Sequence, residues 1–326
     1  MTPQDIHAAV LAADKRIRPQ VLETPLWHSR HLSKTSGAEV YCKLENLQIT
    51  GSFKARGAAN KLAMLSAEER ARGVVTASSG NHGAAVAAML AKMGGRCLVF
   101  APVTAPAVKI DAIRSYGSDV QLHGDDSGLC EIMAQEYAAQ HGLTYVSPYN
   151  DADVIAGQGT IAAEISRQAP DTEIVVASVG GGGLISGIAG FMKMFSPATR
   201  IVGASPENDH SMLCSVRAGE AVAHEGAKPT LSDGTAGTVE PGAITVSLCK
   251  ALVDDWPLAS EAEIAKAMRA YMINDYQLIE GAAGVAIAGF LNLAEAHPEL
   301  VRGRKAVIVI CGARIDLAKL ATVIAQ

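Results

Sequence analysis

The chain has 326 residues, 49% of them hydrophobic and 19% charged, enough for one large domain or two of ordinary size. A formal charge of -5 without any basic run excludes a nucleic-acid partner, and the most apolar stretch, 282–293, is too short and too rich in Ala and Gly to cross a membrane. Six cysteines without a CxxC pair read as reduced thiols of a cytoplasmic protein, not as a disulfide frame or a zinc site.

In chain order, Met1-Thr2-Pro3-Gln4-Asp5 predicts a capped helix start rather than a signal peptide. An apparent strand at 40–45 leads through Thr50 and Gly51 to Ser52-Phe53-Lys54-Ala55-Arg56. The apolar spacing Ala55, Ala58, Ala59, Leu62, Leu65 predicts a helix beyond it. Lys54 thus falls at a strand-to-helix junction, behind an aromatic ring. Held in a pocket and partly desolvated, such an amine drops below its ordinary pKa of about 10.4 and can attack a carbonyl. Taken alone, a lysine at a helix start is more often a solvated surface group.

Apolar runs at 74–77, 97–100, 120–122, 174–177, 201–204 and 306–310 predict strands. Alanine-rich amphipathic segments at 83–92, 105–116, 129–140, 155–168 and 184–195 predict the helices between them. This alternation predicts an α/β fold with mostly parallel sheets covered on both faces. No repeat and no Pro- or Ser-rich linker interrupts it, so any two domains share a close interface, crossed near Ser147-Pro148-Tyr149-Asn150.

In such sheets ligands gather beyond the carboxyl ends of the strands. After Ala77 come Ser78, Ser79, Gly80, Asn81, His82 and Gly83, hydroxyls and an amide at a helix start, a set suited to a carboxylate or to plain N-capping. After Ala177 come Ser178 and Val179, then Gly180, Gly181, Gly182 and Gly183, then Leu184. Four residues without Cβ let backbone N–H groups wrap a phosphate at the next helix start. The dinucleotide fingerprint fails, because its third glycine falls on Ile185 or Ser186, and no Gly-Lys-Ser/Thr follows for a Walker loop. After Ile310 comes Cys311, either a core thiol or a weak donor to a ligand ring nitrogen.

Together these stretches resemble the pyridoxal-phosphate (PLP) enzymes of the tryptophan-synthase-β fold type, and within them the serine/threonine dehydratase and serine racemase family. The carrying stretches are 45–58 around Lys54, 78–83, Pro148-Tyr149-Asn150 with 154–160, the tetraglycine cup, and Cys311-Gly312. The resemblance implies two open, mostly parallel twisted sheets flanked by helices, with PLP in the cleft between two domains. Residues 1–72 and 151–326 would form the large domain, and 73–150 a small mobile domain carrying the Ser78–His82 loop.

It also implies roles. Lys54 would carry the cofactor through its ε-amine and then act as base at the substrate Cα, with Phe53 packed near the ring. Asn81 would hydrogen-bond the cofactor's phenolic oxygen. Gly180, Gly181, Gly182, Gly183 and the N–H of Leu184 would hold the phosphate, and Cys311 would face the pyridine nitrogen. Ser78, Ser79, Gly80, Asn81 and His82 would bind the substrate carboxylate. The implied reaction is dehydration of an L-β-hydroxy amino acid to a 2-oxo acid and ammonia.

Ser79 stands where serine racemases carry a second base, which makes racemisation the alternative activity. Family members that bind Mg or Mn place acidic residues at Ser205 and near Ser211; two hydroxyls are poor hard-cation ligands, so no metal is expected there. The stretch 232–238 matches only at Asp233-Gly234 and is expected to line the pocket for the β-substituent. Glu280 matches a family glutamate, either in a structural salt bridge or at the cofactor. The chain has no room for a regulatory C-terminal domain, which implies a catabolic role. A homodimer is expected from the family.

Overall fold

The computed structural model describes residues 1–125 and 127–325. Thr2 caps the first helix, Pro3–Ile17, with its hydroxyl accepting from the Asp5 N–H at 3.2 Å. The Asp5 carboxylate returns the bond to the Thr2 N–H at 2.8 Å, a reciprocal pair that satisfies two end donors at once.

The strands are β1 (Leu26–His28), β2 (Glu39–Lys43), β3 (Val74–Ala77), β4 (Cys97–Ala101), β5 (Asp119–Leu122), β6 (Thr144–Tyr145), β7 (Ile174–Ser178), β8 (Arg200–Pro206), β9 (Leu258–Ala259) and β10 (Lys305–Val309). They form a six-stranded sheet ordered β1-β2-β10-β7-β8-β9 and a four-stranded sheet ordered β5-β4-β3-β6. Every neighbouring pair is parallel except β1 with β2. The architecture is α/β with two mostly parallel sheets flanked by helices. The smaller sheet is drawn wholly from the chain between Val74 and Tyr145.

Each predicted strand is present, with ends shifted by a residue or two. Two-residue shifts occur at β8, which runs on to Pro206 instead of ending at residue 204, and at β2, which stops at Lys43 instead of running to residue 45. There Glu45–Leu47 turns into a 3-10 helix, and the Asn46 N–H is taken by the Ile310 carbonyl at 2.9 Å. The strands that pattern reading missed, β1, β6 and β9, are two or three residues long, too short to show alternation.

The larger sheet is covered by helices rich in Ala and Gly. Helix Ala152–Gln168 lies so close to helix Gly183–Phe195 that a Cβ on Gly187 would sit 2.3 Å from the Ile155 carbonyl oxygen. Small residues here set the helix spacing and so the position of the glycine cup.

Behind the Lys54 segment lies a buried ionic network. The Arg56 guanidinium, fully buried, donates to Glu45 at 2.7 and 2.8 Å and to Glu164 at 2.8 Å through each terminal nitrogen. Lys43 Nζ reaches Glu164 at 2.6 Å and the Thr24 carbonyl at 2.7 Å. Two cations and two carboxylates cancel, so burial leaves no unpaired charge. The network ties β2 and helix Ala152–Gln168 to helix Lys54–Met64, and so fixes where that helix begins.

Candidate active site

Residues that follow β3, β7 and β10 line one cavity of about 800 Å³. Phe53 and Lys54 enter it from the start of helix Lys54–Met64, and Ser78, Ser79, Gly80, Asn81 and His82 from the turn after β3. Gly180, Gly181, Gly182, Gly183 and Leu184 enter from the turn after β7, and Cys311 from the end of β10. All the predicted site residues therefore border the same space.

Lys54 is the first residue of its helix, and its Nζ donates to the Pro148 carbonyl at 2.7 Å. The amine stands 5.2 Å from the centre of the Phe53 ring. Burial lowers its pKa from 10.5 to about 8, against the pull of nearby negative groups such as Glu131 and Glu280. Near neutral pH a useful fraction of this amine is therefore uncharged and nucleophilic.

The glycine cup is shaped by Tyr149. A Cβ on Gly181 would lie 2.3 Å from the Tyr149 ring, and one on Gly183 would lie 3.0 Å from the Tyr149 backbone. Gly182 takes φ +82, a left-handed conformation that side chains resist, and it caps helix Gly183–Phe195 without any side-chain bond. The helix N-terminus thus keeps its backbone donors for an anion. Tyr149 is itself pinned, its hydroxyl accepting from the Glu240 N–H at 2.9 Å.

Asn81 gives its Nδ2 to both oxygens of Glu280, at 3.0 and 2.9 Å, while its buried Oδ1 has no protein partner. Glu280 is buried, which raises its pKa from 4.5 to about 7 in spite of the Asn81 bond. It makes no ion pair among the described residues; it belongs to the site, not to a structural salt bridge. The Cys311 thiol lies 3.6 Å from Ser178 Oγ and 3.8 Å from Glu280 Oε1, and burial pushes its pKa well above the ordinary value, so it stays a neutral thiol.

His82 has a more restricted place than a substrate ligand would suggest. Its Nε2 meets the Val146 carbonyl at 3.0 Å, and burial together with the Lys54 charge lowers its pKa to about 3. The ring is neutral; with the proton on Nε2 toward Val146, the buried Nδ1 has no partner among the described residues and is an acceptor, so what position 82 offers an anion is its backbone at the start of helix Asn81–Met93. Ser78 Oγ accepts from the Gly80 N–H at 3.1 Å and holds the turn.

The stretch 233–241 also borders the cavity. It is held by Asp209, which accepts from the Gly237 N–H at 2.8 Å and from the Ser211 hydroxyl at 2.7 Å. The Ser205 hydroxyl donates to the Val179 carbonyl at 3.3 Å.

The family described as pyridoxal-phosphate dependent enzyme matches residues 17–312. The chain belongs to that family. It is 43% identical to an L-threonine ammonia-lyase of Thermotoga maritima over 94% of this chain and 74% of that protein. Among solved structures, threonine deaminase isoform 2 of Solanum lycopersicum superimposes with a TM-score of 0.91 at 35% identity, covering 98% of this chain and 92% of that one. Serine racemase of Dictyostelium discoideum does so with a TM-score of 0.87 at 32% identity, covering 97% and 99%.

The cofactor of this enzyme is pyridoxal phosphate, and the residues fit it. An amine of lowered pKa stands in the same cavity as a cup that side chains would fill, and a buried amide oxygen there lacks a partner. Sequence reasoning missed three contributors: the Pro148 carbonyl on Lys54, the Tyr149 ring against the cup, and the Asn81–Glu280 bond. The first two lie in the Pro148-Tyr149-Asn150 stretch already singled out; the third joins residues 199 positions apart, which no local pattern reveals.

Proposed function

We propose that this enzyme is a dehydratase that eliminates water from an L-β-hydroxy amino acid, threonine, serine or a bulkier analogue such as 3-hydroxyaspartate or phenylserine; the enamine formed then takes up water and gives up ammonia to leave the 2-oxo acid. The observation that carries this reading is Lys54, an amine of pKa about 8 in the same cavity as the four-glycine cup. When bound, the cofactor supplies the electron sink that makes the substrate Cα proton acidic. Lys54 Nζ holds the cofactor and then takes that proton. Backbone N–H groups of the cup seat its phosphate, and those at the start of helix Asn81–Met93 seat the substrate carboxylate. Facing the pyridine nitrogen, the neutral Cys311 thiol would supply no full counter-charge, which would suit elimination over transamination. The stretch 233–241 lines the β-substituent pocket in this reading.

Amino-acid racemisation is the second reading, favoured by Ser79 on the wall of the same cavity. A steady-state panel of β-hydroxy amino acids, scored for 2-oxo acid and by chiral analysis, separates the two. Dehydration predicts 2-oxo acid as the main product; faster build-up of the other enantiomer overturns it.

We further propose that residues 73–150 move as a small domain against 1–72 and 151–326, a reading supported by the separate four-stranded sheet. A homodimer is supported by exposed apolar side chains such as Ile273, Tyr276 and Leu317. Cytoplasmic residence is supported by six cysteines outside any disulfide, and a catabolic role by 37% identity to a catabolic L-threonine dehydratase of Escherichia coli. No helix among the described residues is long and apolar enough to cross a membrane.

A further inference from the structure

Helix Ser211–Ala218 begins just after His210 and carries Cys214, one turn further on and so on the same side. His224 arrives from the loop that follows the helix. One donor atom of each of the three side chains lies within 4.8 Å of the others, and the two imidazole rings stand 3.9 Å apart. The loop is pinned where it brings His224 in. The Val222 N–H donates to Ser215 Oγ at 3.1 Å, the Lys228 N–H to the Asn208 carbonyl at 2.8 Å, and Asn208 Nδ2 to the Pro229 carbonyl at 2.7 Å.

From this geometry we propose that His210, Cys214 and His224 form a binding site for a borderline-soft divalent cation of the zinc class. Two imidazoles and a thiolate are the donor set such ions select over magnesium or calcium. His210 Nδ1 lies 3.1 Å from the Glu207 carbonyl. A proton held there leaves Nε2 with its lone pair outward, which is how protein carbonyls orient metal-binding imidazoles. Zinc bound at about 2.0–2.3 Å needs donors roughly 3.5 Å apart, so small side-chain rotations close the set. Three ligands leave a fourth position for water or another small ligand. All three residues are partly exposed, which gives the ion a way in. His224 also borders the catalytic cavity, so the ion fastens that part of the cavity rim to helix Ser211–Ala218. The site is separate from Ser205 and Ser211, whose hydroxyls are engaged with Val179 and Asp209. Local sequence pattern does not reveal it, because there is no CxxC pair and only the fold supplies His224.

Cobalt(II) titration of chelator-treated holoenzyme tests this. One equivalent per chain is expected, with a thiolate-to-cobalt charge-transfer band. Cys214→Ser removes the band and weakens binding by about tenfold or more, and His224→Gln weakens it comparably. Five of the six cysteines are buried and Cys214 is not, so alkylation of the native protein reads Cys214 directly. Zinc is expected to protect it, and metal-free Cys214→Ser is expected to keep its cofactor and turnover. Absence of stoichiometric binding in excess cobalt, or a band that survives Cys214→Ser, overturns the proposal.

Discussion

Asn81 and Glu280 face each other across the cavity, with one amide nitrogen shared between two carboxylate oxygens at 3.0 and 2.9 Å. The bond ties the turn after β3 to the cap of helix Gly281–Ala296, and so links the small sheet to the large one. It also fixes the Asn81 amide, leaving Oδ1 turned elsewhere and unpartnered.

Glu280 titrates near 7 because burial disfavours its charge. The folded chain holds that proton more tightly than the unfolded chain, whose value is near 4.5. Its stabilising contribution is therefore complete in acid and is lost as pH rises through about 7. Glu280→Gln is expected to flatten this dependence in thermal melts and to remove a limb near pH 7 from the kcat/KM profile. A limb unchanged in Glu280→Gln assigns it to another group. Glu280→Ala leaves the Asn81 amide unpaired and is expected to cost about 1–3 kcal/mol in urea unfolding.

Gly181→Ala drives a methyl group into the Tyr149 ring, where 2.3 Å is available. Overpacking of this kind costs about 1–3 kcal/mol, so cofactor affinity is expected to fall about tenfold or more while circular dichroism stays native. Equilibrium dialysis of the cofactor reads the difference.

The Lys54 amine should load with cofactor at lower pH than an ordinary lysine. Its folded pKa, near 8, lies below 10.5, so between those values the unfolded chain binds more protons and stability rises with pH. The rate of cofactor uptake by cofactor-free enzyme is expected to rise with an apparent pKa near 8. A midpoint near 10 would mean that the amine is solvated.

Arg56→Met leaves Glu45 in the core without its ion pair, while Glu164 keeps Lys43 at 2.6 Å, and is expected to cost about 3–5 kcal/mol in urea unfolding. Glu164 is pushed up by burial, but Arg56 and Lys43 reverse this and hold it at about 2. The wild-type network thus stabilises above the unfolded value of 4.5 and is lost as pH falls through about 2. Because Lys43 still holds Glu164, a weakened acid sensitivity, with its midpoint moved up toward 4.5, is expected in Arg56→Met.

Much of this site is local and so legible in the chain. The strand 74–77 and the cup at 180–183 are short contiguous signals, each with its own chemistry, and the structure places them around one cavity. Contacts that depend on three-dimensional packing are not local. Nothing beside His82 foretells that its Nε2 is held by the Val146 carbonyl, 64 residues away. Nothing beside Gly181 foretells the Tyr149 ring. The Arg56 network is invisible for the same reason, since an arginine two residues beyond Lys54 reads as a surface charge until Glu164 packs over it.

The account rests on the cofactor being joined to one particular amine. Borohydride reduction of the yellow holoenzyme, followed by proteolysis and mass spectrometry, tests this most directly. The predicted result is a reduced phosphopyridoxyl adduct on the peptide that holds Lys54, and no fixed adduct in Lys54→Ala. An adduct on any other lysine, or colour fixed by borohydride in Lys54→Ala, would contradict it.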